Sequence, residues 1–229
     1  MWYTIKRMIE VKGIKKGYSK RKLLIDVELK AECGQTIVII GRNGCGKTTL
    51  MQILAGILKP DEGKITYFGQ EPLVHKKLFR EYCGYVPQEN PLIEELSVKD
   101  NLWLWGGKSS KVLEQLTETF QLQDIWKTPV EKISGGMKRR LSIACALVKW
   151  PPILLLDEPT TALDLYHKGC IHDLFMNYKK KNGIIIMTTH DEQEILSADR
   201  CLMMQQGKLI ELSAEERNIE VIKKYLAVE

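Results

Sequence analysis

The sequence predicts an α/β fold: a mostly parallel sheet, an antiparallel β portion near the start, and a helical portion inserted in the middle. Three observations carry this. Apolar and β-branched runs at 35–40, 153–156 and 183–188 have the composition of strands buried on both faces. Stretches with helical spacing separate those runs, as parallel strands require. The segment from about 89 to 150 is predominantly helical in pattern. At 229 residues the chain suits one domain, 1–229, with that helical subdomain inside it.

In chain order, apolar alternation from Met8 to Val11 and from Leu24 to Leu29 predicts antiparallel strands. The run from Gln35 to Ile40 predicts a buried strand ending at Gly41, and Leu50, Ile53, Leu54 and Leu58 predict a helix over Lys47 to Leu58. Pro60-Asp61-Glu62-Gly63 has turn chemistry and leads into a strand from Lys64 to Phe68. Ser97, with Asp100 three residues on, reads as the N-cap of a helix carrying Leu102 to Trp105. Strands return at Ile153–Leu156 and Gly183–Thr188, around a helix from Leu165 to Lys180. A hairpin turning at Gln206-Gly207 and a helix from Ala214 to Leu226 complete the expectation.

Apolar residues at 44% and charged residues at 28% are those of a soluble globular protein. The net charge of +5 suits an anionic ligand or membrane surface and is too small to argue for nucleic acid. Cysteines 33, 45, 83, 145, 170 and 201 form no close pair, so reduced, mostly buried thiols are expected rather than a metal site or disulfide framework. No apolar run approaches the roughly 20 residues that cross a bilayer, and Met1 to Arg7 lacks the apolar stretch of a secretory signal. Any membrane-spanning part is expected from another polypeptide.

Gly41-Arg42-Asn43-Gly44-Cys45-Gly46-Lys47-Thr48 fits the phosphate-loop pattern of Gly, four residues, then Gly-Lys-Thr. Glycines let successive N–H groups converge on phosphate oxygens, and the following helix adds a positive partial charge. Lys47 then neutralises the β- and γ-phosphates and Thr48 ligates Mg²⁺. Placed between a strand and a helix, the loop predicts a P-loop NTPase core. Cys45 reads as a small filler or as a thiol made reactive by the helix N-terminus.

Ile153 to Leu156 leads into Asp157-Glu158, 110 residues after Lys47. At the C-terminal edge of its strand Asp157 can hold Mg²⁺ through water. Strand alternation turns Glu158 to the other face, toward a water able to attack the γ-phosphate.

Ile133-Ser134-Gly135-Gly136-Met137, ahead of a helical Lys138 to Leu147 and with Gly136 18 residues before Leu154 of the acidic strand, resembles the signature of the ATP-binding cassette (ABC) family, usually Leu-Ser-Gly-Gly-Gln. The resemblance runs over nearly the whole chain. It implies that Ser134, Gly135 and Gly136 contact the γ-phosphate of ATP held by a second ABC ATPase subunit, in a homodimer or heterodimer. It further implies that Tyr18 stacks on adenine, that Gly41, Asn43, Gly44, Cys45, Gly46, Lys47, Thr48 and Thr49 hold the phosphates, and that Gln88 touches both Mg²⁺ and the attacking water. Asp164, in Ala162-Leu163-Asp164, matches the loop crossing the dimer interface, and His190 matches the histidine that contacts the γ-phosphate. Glu158, His190 and Gln88 are thus the expected catalytic residues, and Thr48, Gln88 and Asp157 the metal ligands. His75, His167 and His172 match nothing and read as surface or structural.

Met137 stands in place of Gln, Ile133 of Leu, and Leu165 of the Pro common after the interface Asp. Ser-Gly-Gly-Met-Lys-Arg-Arg is more similar to ATPase subunits of exporters than of importers. The implied function is an ATP-hydrolysing subunit of an ABC transporter, using ATP and Mg²⁺, driving a separate transmembrane permease subunit, and peripheral on the cytoplasmic face of the cell membrane. A soluble cassette serving non-membrane partners, such as iron–sulfur assembly, is the alternative.

Overall fold

The computed structural model describes residues 8–19, 21–106, 111–161 and 163–227. β1 (Met8–Tyr18), β2 (Arg21–Glu32) and β4 (Glu62–Tyr67) form a three-stranded antiparallel sheet in the order β2-β1-β4. β3 (Thr36–Ile40), β5 (Cys83–Val86), β6 (Ile153–Asp157), β7 (Ile184–Thr188), β8 (Arg200–Gln205) and β9 (Lys208–Leu212) form the second sheet, ordered β5-β6-β7-β3-β8-β9. Its first five strands are parallel, and β9 runs antiparallel to β8. Gln206 and Gly207 turn that last hairpin with φ of 48° and 72°, the left-handed pair a two-residue turn demands.

The continuous apolar runs of β3 and β6 serve two cores at once. Ile37, Ile39, Ile153 and Leu155 pack into one cluster with α1 (Lys47–Leu54) and the antiparallel sheet. Val38, Ile40, Leu154 and Leu156 pack into the other, beneath α3 (Val98–Gly106), α4 (Lys111–Thr119), α5 (Gly135–Leu147) and α6 (Leu165–Lys180). Alternation of side chains makes every position of such a strand a core position. At about 1.5–3 kcal/mol for each buried aliphatic side chain, these two strands anchor the fold. Among the described residues no helix is long and apolar enough to cross a membrane.

Several boundaries differ from expectation. α1 stops at Leu54, four residues early, because Gly56 takes a left-handed φ of 73° and its N–H and that of Ile57 bond back to the carbonyls of Ile53 and Gln52. The last helix is broken: a 3₁₀ turn at Glu215–Arg217, closed by reciprocal bonds between Ser213 and Glu216, precedes α8 (Ile219–Ala227), and Asn218 Oδ1 accepts from Glu220 N. α2 (Lys77–Tyr82), β5 and α7 (Glu192–Ser197) were not foreseen, being only six, four and six residues long. The expected cap at Ser97 is present, its Oγ accepting from Asp100 N at 3.1 Å. Of the six free cysteines only Cys145 and Cys201 are buried; the others are half-buried. Burial pushes the Cys83 thiol up to about 12 and the Cys201 thiol up to about 11.

Candidate active site

β3 ends at the loop 41–46, and α1 begins at Lys47 with Gly46 as its N-cap. One cleft of about 270 Å³ brings Asn43, Gly44, Gly46, Lys47, Thr48 and Thr49 together with Gln88, Asp157 and Glu158. Nearly all of Lys47 is buried, and its Nζ donates to the carbonyls of Gly41 at 2.6 Å and Arg42 at 3.1 Å. The ammonium therefore sits inside the loop, and with the N-terminus of α1 it makes the cleft attractive to an anion.

Two loop glycines have different reasons to be glycine. Both are left-handed, at φ of 74° for Gly44 and 111° for Gly46. A Cβ on Gly46 would come within 2.8 Å of Leu24 Cδ2, whereas one on Gly44 meets nothing within 4 Å. Packing constrains Gly46; only the backbone conformation and the cleft constrain Gly44. Gly41 is buried behind the loop, and Cys45 packs on the core cluster around α1.

β6 carries the acidic pair. Asp157 is 1% exposed and ends the strand; its Oδ1 accepts from Thr188 Oγ1 on β7. Asp157 Oδ2 is buried without a hydrogen-bond partner, an orphaned acceptor that a magnesium-bound water would satisfy. Thr48 and Gln88 line the same cleft. Among the described residues no three His, Cys, Asp or Glu cluster as a metal site. The Asp157 carboxylate and the Thr48 hydroxyl are oxygen donors of the kind Mg²⁺ takes together with phosphate oxygens.

Strand alternation does not direct Glu158, contrary to expectation. β6 has ended, and Glu158 is left-handed at φ of 54°. Its N–H bonds to the Thr188 carbonyl at 3.0 Å, its Oε2 accepts from Thr161 Oγ1 at 3.1 Å, and its Oε1 stands 3.2 Å from His190 Nε2. His190 leaves the end of β7 on a loop pinned from below. Thr189 Oγ1 donates to buried Glu194 and accepts from Asp191 N, while Asp191 caps α7 and pairs with Lys168 at 2.6 Å.

Arg139 was missed, although the run Lys138-Arg139-Arg140 was in view. It is 9% exposed, and its guanidinium donates to the carbonyls of Pro87, Asp157, Glu158 and Pro159. Burial lowers its proton affinity, opposed by the nearby Asp157, Glu158 and Glu194 carboxylates. The available signal was its place on the buried face of α5, three residues ahead of buried Ser142.

Other expected residues stand apart from the cleft. Tyr18 is half-exposed at the end of β1, but its cross-strand partner Arg21 reaches Gly44 O at 3.4 Å, so this end of the antiparallel sheet abuts the loop. Ser134 caps α5, its Oγ accepting from Met137 N at 3.2 Å. Ser134 and Gly135 are exposed, Gly136 is half-buried, and a Cβ on Gly135 would meet nothing within 4 Å. Asp164 is exposed and caps α6 through His167 N; it also contacts the His167 ring, which gives that histidine a structural partner. The His167 N–H, followed by the ring, holds the Asp164 carboxyl below its ordinary range. Ala162, of the same expected loop, lies outside the described residues.

A family model described as "ABC transporter" matches residues 24–161, more than half of the chain. Nod factor export ATP-binding protein I of Rhizobium sp. (strain N33) is 34% identical over 212 residues, 89% of this chain and 70% of that protein. ATP-binding cassette sub-family A member 2 of Rattus norvegicus is 34% identical over 197 residues; the match covers 83% of this chain but spans 8% of that relative's length. Among solved structures, the dimeric post-hydrolysis state of the ATP-binding cassette MJ0796 bound to ADP and Pi superposes with a TM-score of 0.83 at 25% identity, covering 90% of this chain and 98% of that one. A bacterial Atm1-family ABC exporter with ATP bound gives 0.85 at 26% identity, covering 97% of this chain and 43% of that one.

Proposed function

The chain belongs to the ABC transporter family, and from that membership we propose that it is the ATP-binding and ATP-hydrolysing subunit of an exporter, working as a head-to-tail pair around two ATP molecules. The observation that carries the proposal is the division of the expected site. Asn43, Gly44, Gly46 to Thr49, Gln88, Asp157 and Glu158 share one cleft, while Ser134 and Gly135 are exposed outside it, with open space over Gly135. A γ-phosphate held by Lys47 would meet those N–H groups only on a second subunit, and the dimeric cassette MJ0796 is the precedent. Residues 1–229 then act as one ATPase domain, with 89–150 as the helical subdomain.

In this scheme Tyr18 stacks on adenine, and the loop N–H groups and Lys47 bind the phosphates. Thr48, Gln88 and Asp157 would hold Mg²⁺, which when bound neutralises charge on the phosphate oxygens. Glu158 accepts the proton of the attacking water, and His190 orients it with Gln88. Asp164 lies at the dimer interface. Positioning and charge stabilisation are most of what phosphoryl transfer needs, so closure of the pair assembles the catalyst.

Export is supported by the Nod factor export relatives and by the Ser134-to-Arg140 pattern. A separate permease is supported by a groove of about 430 Å³ between the core and the helical portion, floored by Phe79 and Tyr85 and rimmed by Ile57 and Trp105. On α3, Trp105 lines the groove, whereas Leu102 is buried in the core and Leu104 is exposed outside the groove. A helix of the membrane subunit would seat in this groove, holding the chain on the cytoplasmic face of the membrane.

Two measurements test the reading. Purified chain should hydrolyse Mg-ATP, and Glu158→Gln should cut turnover by about 10²–10⁴-fold while ATP drives a stable dimer. Affinity capture after mild detergent extraction should bring an integral membrane protein, identified by its sequence. Capture of soluble partners alone would favour the non-membrane cassette instead.

A further inference from the structure

We infer that Arg139 is a positioning residue for hydrolysis, which sets the backbone of Glu158 and ties it to the Gln88 loop and to the helix that starts at the signature turn. This rests on the ATPase reading above and adds a residue to it.

Glu158 occupies a left-handed conformation, φ 54°, that a side-chain-bearing residue adopts only at an energetic cost. Something must hold it. On one side its N–H bonds to the Thr188 carbonyl. On the other, Arg139 Nη2 donates to its carbonyl at 2.7 Å and to that of Asp157 at 2.6 Å, and Nε donates to Pro159 O at 2.9 Å. Three successive carbonyls thus converge on one guanidinium, a turn geometry that the planar fork of Arg fits and an ammonium does not. Nη1 donates to Pro87 O, the residue before Gln88. Arg139 stands on α5, five residues beyond its cap Ser134. One buried side chain therefore connects the segment carrying the water-activating carboxylate, the segment carrying Gln88, and the helix whose first turn is expected to contact the other subunit's ATP. Uncoupling these leaves the phosphate loop intact: among the described residues the side-chain hydrogen bonds at 41–49 come from Lys47 and Arg21, and those of Arg139 go to Pro87, Asp157, Glu158 and Pro159.

The test compares Arg139→Met, which keeps bulk and removes every donor, with Arg139→Lys, which keeps charge but not the fork. Steady-state ATPase activity is measured beside thermal melts. We expect kcat to fall about tenfold or more in the Met variant with KM for ATP within about threefold, and an intermediate kcat for Lys. Because the effect acts through Glu158, adding Arg139→Met to Glu158→Gln should lower the residual kcat no further, and ATP should still drive dimer formation in the double variant. A folded Met variant with the parent kcat overturns the inference, as does a KM that rises in step with the fall in kcat, or loss of the ATP-driven dimer. Should the Met variant fail to fold, parent kcat in the Lys variant overturns it equally. A parent chain without ATPase activity would sink the functional reading; a parent with activity and an unaffected Arg139 variant would sink this inference alone.

Discussion

His190 Nε2 stands 3.2 Å from Glu158 Oε1, so two side chains reached from different strands share one hydrogen-bonding position at the mouth of the cleft. Neither is fixed by the other alone: Thr161 holds the second Glu158 oxygen, and Thr189 and Asp191 hold the loop of His190. The pair contacts directly, so it presents a carboxylate and an imidazole side by side next to the cleft.

Loss of either group should therefore have a different signature. Glu158→Gln removes the proton acceptor and is expected to cut kcat by about 10²–10⁴-fold with ATP affinity retained. His190→Ala leaves the acceptor but frees its orientation, so its kcat should fall less than that of Glu158→Gln, with similar nucleotide binding. Single-turnover hydrolysis and equilibrium binding of a fluorescent ATP analogue measure both. Equal kcat in the parent and Glu158→Gln would remove Glu158 as the base.

The phosphate-loop glycines separate folding from binding. Gly46→Ala forces a methyl toward Leu24 and strains the backbone, so it should lower the melting temperature more than Gly44→Ala, whose cost is chiefly the left-handed φ, about 1 kcal/mol. Gly44→Ala should nonetheless weaken ATP binding, since its new Cβ projects into open space beside the cleft. Melts and binding isotherms on both variants decide this, and equal destabilisation would refute the packing difference.

Glu194 makes stability depend on pH. It is 9% exposed, with Oε1 buried and unpaired, and burial raises its pKa above the ordinary 4.5, partly offset by the hydroxyls of Thr189 and Thr160. An acid whose folded pKa is raised binds more protons folded than unfolded, so stability falls as pH rises from about 4.5 through the folded value, then levels off. Glu194→Gln lacks this term. The stability of the parent relative to the variant should decline as pH rises above about 4.5 in urea unfolding; a difference that stays flat would contradict the raised pKa.

Trp105 is half-exposed at the rim of the groove and lies outside the cleft. Trp105→Glu should leave ATPase activity of the isolated chain within about twofold, because it touches none of the reacting groups. Recovery of the membrane subunit in detergent pull-downs should fall by about tenfold or more, as a charge facing an apolar contact does. Undiminished recovery would move the docking surface elsewhere.

The parallel core was legible because its strands are buried on both faces, which leaves uninterrupted apolar runs such as Ile153 to Leu156. The phosphate loop and Asp157-Glu158 were legible because their chemistry is local in sequence. What escaped was set by tertiary contacts. β5 is four residues long, too short for any period to register. The direction of Glu158 follows from a left-handed turn that no pattern announces. Arg139 looked like one more cation in a basic run, since its acceptors are carbonyls 18 to 52 positions away. Tyr18 and Asp164 were singled out by resemblance alone, and neither is among the residues that line the cleft with the loop.

Gly56 joins two regions by having no side chain. A Cβ there would stand 2.3 Å from the Phe79 ring, which floors the groove, while Gly56 itself terminates the helix rising from the phosphate loop. Any larger residue at 56 would push that ring upward and spoil the seat without touching Lys47. On the exporter reading, a genetic screen for chains that burn ATP yet move no cargo is expected to return lesions at this position, which lies outside the ATP cleft.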